Sequence, residues 1–186
     1  MHKHSKYTLE DIIIVPVPPS ELLRARKWAK AIGEENKGER TRDGGDDRDI
    51  KGCLAQWAVH KYLEDAGWDH TYSLPYIKDQ HRDQFDLLFS DEIWDVKCRG
   101  WWKEEYYYNI SILMATHEKS EAKPCDYYIF CTTDTSFNNI YILGAKSYDS
   151  TWNELQPVDQ SKMRFPTAGE LKSRSLTPLR KHILKN

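Results

Sequence analysis

Long apolar runs are missing from this chain. The longest near the N-terminus, IIIVPVPP, is short and broken by proline, so neither a signal peptide nor a membrane span is expected, and no membrane partner. Neither sign of charge dominates: 27 Lys and Arg face 29 Asp and Glu, a formal net charge of -2. That excludes a bulk polycation, and any contact with nucleic acid must be a local patch. Cysteine is scarce: Cys53, Cys98, Cys125 and Cys131 form no C-x-x-C pair and sit in apolar stretches. They read as buried free thiols in a reducing compartment, which sets the expected location as cytoplasmic, or a host cell interior for a viral protein. In such a compartment the N-I-S pattern at Asn109 goes unused as a glycosylation acceptor. His60, His70 and His81 lack zinc-site spacing, and GAKS at Gly144 lacks the glycine and length of a phosphate loop. Internal repeats and low-complexity tracts are absent. What is plentiful is aromatic surface: seven Trp and eleven Tyr, enough for core volume and for flat faces on which bases stack.

A length of 186 residues suits a single domain with a sizeable core. The first nineteen residues read as an arm or edge strand ending at prolines. Ser20 is placed to cap a helix, SELLRARKWAKAIGEEN, with Leu22, Ala25, Ala29 and Ile32 on one side. KGERTRDGGDDRD has glycines, mixed charges and no apolar period, and reads as a mobile loop. Asp49 is placed to cap a second helix, IKGCLAQWAVHKYLEDAG, whose stripe is Ala55, Ala58, Val59, Tyr62, Leu63 and Ala66, with Gly67 as its stop. HTYSLPYI reads as a strand, followed by two hairpin strands. EEYYYNISILMATHEKSEAK mixes strand and helix signals, and DYYIFCTT and NIYILGAK are two further strands. From about Tyr148 the pattern weakens to turns and a short helix. The expected class is therefore α/β, a central mixed β-sheet flanked by helices, with a core from about 50 to 145.

The chemistry concentrates in DQFDLLFSDEIWDVKCRGWW, residues 83–102. Period-two alternation marks an apolar hairpin, yet it holds Asp86, Asp95 and Lys97. With Ser90 and Asp91 as a two-residue turn, Leu87 faces Trp94 and Asp86 faces Asp95. Directly opposed Cβ atoms are about 4.5–5.5 Å apart. Two carboxylates at that spacing repel, and a divalent cation between them reverses the sign. Mg²⁺ or Mn²⁺ takes hard oxygen ligands and needs only one or two carboxylates plus water. Lys97, two residues after Asp95, points to the same face, where an ammonium orients or activates water and offsets developing phosphate charge. Acid-x-Lys occurs five times in the chain, at Glu35, Asp49, Asp95, Glu121 and Glu170. Four of these read as solvated charges in loops or helices, and only Asp95 reads as part of an apolar strand. The bland alternative is a structural Asp95–Lys97 ion pair at a strand end.

On Asp86, Asp95 and Lys97 the chain resembles the PD-(D/E)XK nuclease superfamily. The resemblance implies a restriction-endonuclease-like αβββαβ core and a metal site joining Asp86 to Asp95-Val96-Lys97. The Val96 carbonyl is then also a metal ligand, and Mg²⁺ or Mn²⁺ the cofactor. The family's G-x-x-x-E on the first helix has a counterpart in GCLAQ, which puts an uncharged Gln56 in the Glu position. Read without the family, Gln56 is a boundary polar residue beside a core stripe. Phe85 stands where the family name has Pro.

For substrate, Arg99, Trp101 and Trp102 follow the active strand directly, and Arg40, Arg42, Arg48 and Lys51 precede the helix of Gln56 in a loop read as flexible and able to close over a backbone. Arg and Lys grip phosphates and Trp stacks on bases, although a solvated charged loop and a core Trp are the ordinary uses. The expected function is a metal-dependent nuclease acting on DNA, with the choice between DNA and RNA left open by the sequence and a homodimer one of the open assemblies. The alternatives are a nucleic-acid-binding or assembly protein that keeps the fold with little catalysis, and a hydrolase of another phosphoester.

Overall fold

The computed structural model describes residues 7–35, 46–72, 86–115, 125–162 and 167–184. Six strands make one mixed sheet in the order β1-β7-β6-β4-β3-β2: β1 Ile13–Pro16, β2 Thr71–Tyr72, β3 Leu87–Phe89, β4 Glu92–Trp101, β6 Tyr127–Thr133 and β7 Asn139–Ser147. β5 Ser111–Ala115 and β8 Thr167–Lys172 form a separate antiparallel pair. The helices are α1 Pro19–Glu35, α2 Asp46–Asp65, α3 Tyr148–Asn153 and α4 Leu179–Ile183.

Sheet and helices divide the apolar side chains into two cores. α1 and α2 cover one face, where Ala25, Ala29, Leu54, Ala58, Val59 and Leu63 meet Trp94, Val96, Ile129, Ile140 and Ile142. The β5–β8 pair and α3 cover the other, where Ile112, Met114, Leu171 and Trp152 meet Tyr128, Phe130 and Leu143. Each fully buried aliphatic or aromatic side chain contributes about 1.5–3 kcal/mol, so both layers contribute to holding the sheet between them. β4 and β6 run parallel, and every other strand pair is antiparallel. A parallel neighbour needs a crossover, and β5 lies on the chain between the two strands.

Several expectations change here. α2 begins at Asp46, so Asp49 lies inside the helix rather than capping it. The tail holds a real strand, β8, which the weak period from Tyr148 onward did not disclose. In the expected α2 stripe Ala55, Ala58, Val59 and Leu63 are buried, whereas Tyr62 is half-buried and Ala66 exposed. The expected mobile loop lies mostly outside the described residues, as does most of HTYSLPYI.

Gly100 breaks the alternation of β4. Cys98 pairs with Cys131 but Trp101 with Thr133, so β4 carries one extra residue there, and Gly100 takes φ +68°. Such a bulge reverses which side chain faces which layer. Trp101 accordingly turns to Lys51 of α2 and to Phe137, and Trp102 stacks on Tyr141 in the second core.

Candidate functional site

The hairpin has the expected register: Phe89 opposes Glu92, Leu88 opposes Ile93 and Leu87 opposes Trp94. Ser90 and Asp91 both take positive φ, 48° and 64°, the conformation of a type I′ two-residue turn. One step further along that register Asp86 falls opposite Asp95. Its carboxylate is turned onto the strand itself: the Val96 amide donates to Asp86 Oδ2 at 2.7 Å. The amide and carbonyl of one strand residue point to the same edge. The Val96 carbonyl therefore also points toward β3, beside the Asp86 carboxylate.

On β4 the even residues Trp94, Val96 and Cys98 enter the helix-covered core. Asp95 and Lys97 belong to the opposite face, where their partners on β6 are Tyr128 and Phe130. Lys97 Nζ lies 2.9 Å from Asp95 Oδ2, with the two side chains 24% and 20% exposed. The ammonium also sits 5.8 Å from the Tyr128 ring centre. Burial first, then the charges on Cys125 and Asp95, push the Tyr128 hydroxyl well above its ordinary range. Burial likewise pushes the Cys125 thiol up to about 12, with Asp95 adding to it and Lys97 opposing. The pair is thus a half-buried charge centre open at one side, with a neutral thiol and phenol behind it.

Gln56 lies on α2, which packs on the Val96 face, so it approaches from the other side of the sheet from Asp95 and Lys97. The charge of Arg99 is felt at Lys51. Burial first, and the Arg99 charge among the smaller causes, lowers the Lys51 pKa, while its Nζ reaches the Gly100 carbonyl at 3.4 Å. Arg48 sits one turn earlier on α2, exposed. Arg40 and Arg42 lie outside the described residues.

The ELK at Glu170, expected as solvated charge in a loop or helix, sits instead on β8, where Glu170 and Lys172 form an ion pair of 2.8 Å. Glu170 also accepts from the Ser111 hydroxyl. This second strand-borne acid-x-Lys pair shows that the ion pair alone marks no site. What sets Asp95–Lys97 apart is Asp86 across the hairpin. Among the described residues no group of three or more His, Cys, Asp and Glu is arranged to hold a metal. A hard cation asks for less, one or two carboxylates with water completing the shell, and the Asp86–Asp95 donor set meets that requirement. A separate polar cleft of about 360 Å³ lies between Tyr127, Lys146, Ser150 and His182, without any of the three site residues. Its lysine is taken by Glu154 at 2.8 Å and the Ser175 carbonyl at 3.0 Å.

Among the described residues no helix is long and apolar enough to cross a membrane. No family model, curated protein or solved structure matches this chain.

Proposed function

We propose that the protein is a metal-dependent nuclease of restriction-endonuclease-like architecture that hydrolyses phosphodiester bonds in DNA. The observation that carries this reading is the Asp86 carboxylate fixed on the Val96 amide, directly across the hairpin from the Asp95–Lys97 pair. Further support comes from the order of elements: α2, then β2, β3 and β4 as a meander, then a crossover to β6 lying parallel beside β4.

Asp86 and Asp95 would hold Mg²⁺ or Mn²⁺, with the Val96 carbonyl at the same edge. Bound there, the cation would supply Lewis-acid stabilisation of phosphate charge. The chain's own part is to hold geometry. The Val96 amide locks Asp86 in place, and Asp95 holds the Lys97 ammonium at the open side of the site. Lys97 donates hydrogen bonds to the attacking water or to a phosphate oxygen, and in this half-buried setting a fixed donor is worth more than in water. Arg99 and Lys51, toward the far end of β4, would meet the backbone to one side of the scissile phosphate.

The test is cleavage of linear, circular and single-stranded DNA in Mg²⁺ and in Mn²⁺, wild type against Lys97→Ala. Metal-dependent cutting lost in the variant supports the reading, and sparing of circles marks an exonuclease. A wild type that cuts nothing, or a variant that cuts equally, rejects it. A second reading, a nucleic-acid-binding or assembly protein with little catalysis, is favoured by one observation: the helix residue in line for a third ligand is an uncharged Gln56 on the opposite layer.

A further inference from the structure

Where β4 runs out, the surface carries three large exposed aromatic side chains within eight residues: Trp101, Tyr106 and Tyr108, exposed by 39%, 56% and 39%. Two of them are propped from behind, Trp101 by Phe137 at 5.9 Å between ring centres and Tyr108 by Tyr7 at 6.5 Å. Each ring has a cation against it. Lys51 Nζ lies 3.2 Å from the Trp101 centre, Lys103 Nζ 5.9 Å from that of Tyr106, and the Arg174 guanidinium 5.6 Å from that of Tyr108. These cations come from α2, from the turn after β4 and from the 3-10 turn Ser173–Ser175, so three separate parts of the fold bring charge to the three rings. A ring left partly in water with a cation beside it is matched to a base and its phosphate: the base takes the π-face and the cation moves to the backbone.

We propose that this aromatic and cationic end of the sheet binds single-stranded nucleic acid, with bases stacked on Trp101, Tyr106 and Tyr108 and phosphates on Lys51, Lys103 and Arg174. The inference deepens the nuclease reading and rests on it for the class of partner. A single strand is specified over a duplex for two reasons. Paired bases hide the faces that the rings would stack on. The charge is also too small for backbone-led duplex binding, because Glu104 and Glu105 share the turn with the tyrosines. Three cations less two carboxylates leave one net positive charge here, against the six to ten phosphate contacts that typify tight duplex binders. Stacking must supply the affinity. Trp101 lies four residues beyond Lys97, roughly 13 Å along an extended strand, and past the bulge it faces the helix layer rather than the layer that Asp95 and Lys97 face.

The experiment is equilibrium binding of fluorescently labelled oligo(dT) and of a duplex of equal length, both in EDTA so that cleavage plays no part. Wild type is compared with the Trp101→Ala/Tyr106→Ala/Tyr108→Ala triple variant and with the Tyr106→Phe/Tyr108→Phe pair, all checked for a native unfolding transition. The proposal expects oligo(dT) to bind more tightly than duplex, with quenching of tryptophan fluorescence. The triple alanine variant should bind at least about ten-fold more weakly, because stacking on one ring alone is worth roughly that factor. The phenylalanine pair should retain binding, and the log–log salt slope should be no steeper than about -2, as three contacts to a single strand give. Duplex bound as tightly as oligo(dT), no binding of oligo(dT), or undiminished binding by the ring-less variant overturns it. The nuclease reading fails separately: oligo(dT) bound while no linear, circular or single-stranded DNA is cut in Mg²⁺ or Mn²⁺ sinks that reading, and cleavage without oligo(dT) binding sinks this one.

Discussion

Asp86 accepts the Val96 amide proton at 2.7 Å, so its role in the hairpin and its role at the site are separable by substitution. Asparagine keeps an acceptor oxygen and removes the charge, whereas alanine removes both. A hydrogen bond to a charged group is worth about 1.5–3 kcal/mol. Asp86→Ala should lower stability by about that amount, and Asp86→Asn by about 1 kcal/mol or less, while both lose metal-dependent cleavage. Urea denaturation and the cleavage assay check this together; equal destabilisation, or an asparagine variant that still cuts, contradicts it. A second residue-scale prediction concerns the histidines beside β2. His70 Nδ1 donates to the Trp68 carbonyl at 2.8 Å, which leaves its Nε2 to accept from His60 Nδ1 at 2.7 Å. His60 also stacks on Tyr72 at 4.4 Å. Burial first, then the charge on His70, lowers the His60 pKa below its ordinary 6.5. The folded protein thus favours the neutral ring, and the stability this provides is complete above pH 6.5 and lost as pH falls below it. Stability measured against pH should show that acid limb in wild type and a shallower one in His60→Gln. Parallel curves would contradict the assignment.

At the scale of elements, the hairpin was legible because its information is local. Two turn residues at positive φ and strict alternation fix the register, and the register sets Asp86 against Asp95. β8 was not legible because it pairs with β5, some sixty residues upstream, and six residues of TAGELK carry too little pattern to name a distant partner. The same blindness put Glu170 and Lys172 among solvated charges, although they form an ion pair on a strand. The side of the sheet that Trp101 faces was hidden as well, since a bulge reverses alternation and nothing but a glycine announces it. That glycine yields a prediction. Gly100 at φ +68° would carry a Cβ 3.4 Å from the Ser111 carbonyl, so Gly100→Ala meets backbone strain rather than a clash. A cost of about 1–2 kcal/mol is expected, with a changed near-ultraviolet signal from Trp101 as the Lys51 contact shifts. Thermal unfolding checks the cost, and an unchanged transition would contradict the bulge.

The whole molecule is closed by its C-terminal segment. Thr177 pairs with Ala145 of β7, Lys181 reaches Asp11 at 2.8 Å, and His182 reaches Glu92 at 3.3 Å beside the turn of the hairpin. Gly144 makes the docking possible: at φ +148° an added Cβ would stand 2.5 Å from the Thr177 carbonyl. Gly144→Ala should therefore cost about 3 kcal/mol, from overpacking and strain together. A denaturation midpoint near that of wild type would show the segment to be loosely held. With both layers in place, β4 offers Asp95 and Lys97 to one side of the sheet only. The central claim is that this pair, with Asp86, is a catalytic site while the geometrically similar Glu170–Lys172 pair is not. The most direct measurement compares rates of Mg²⁺-dependent DNA cleavage for wild type, Lys97→Ala and Lys172→Ala. Lys97→Ala should lose about a hundred-fold or more, and Lys172→Ala should cut at a near wild-type rate. Equal effects of the two substitutions, or a wild type that leaves every DNA substrate intact, would contradict that claim.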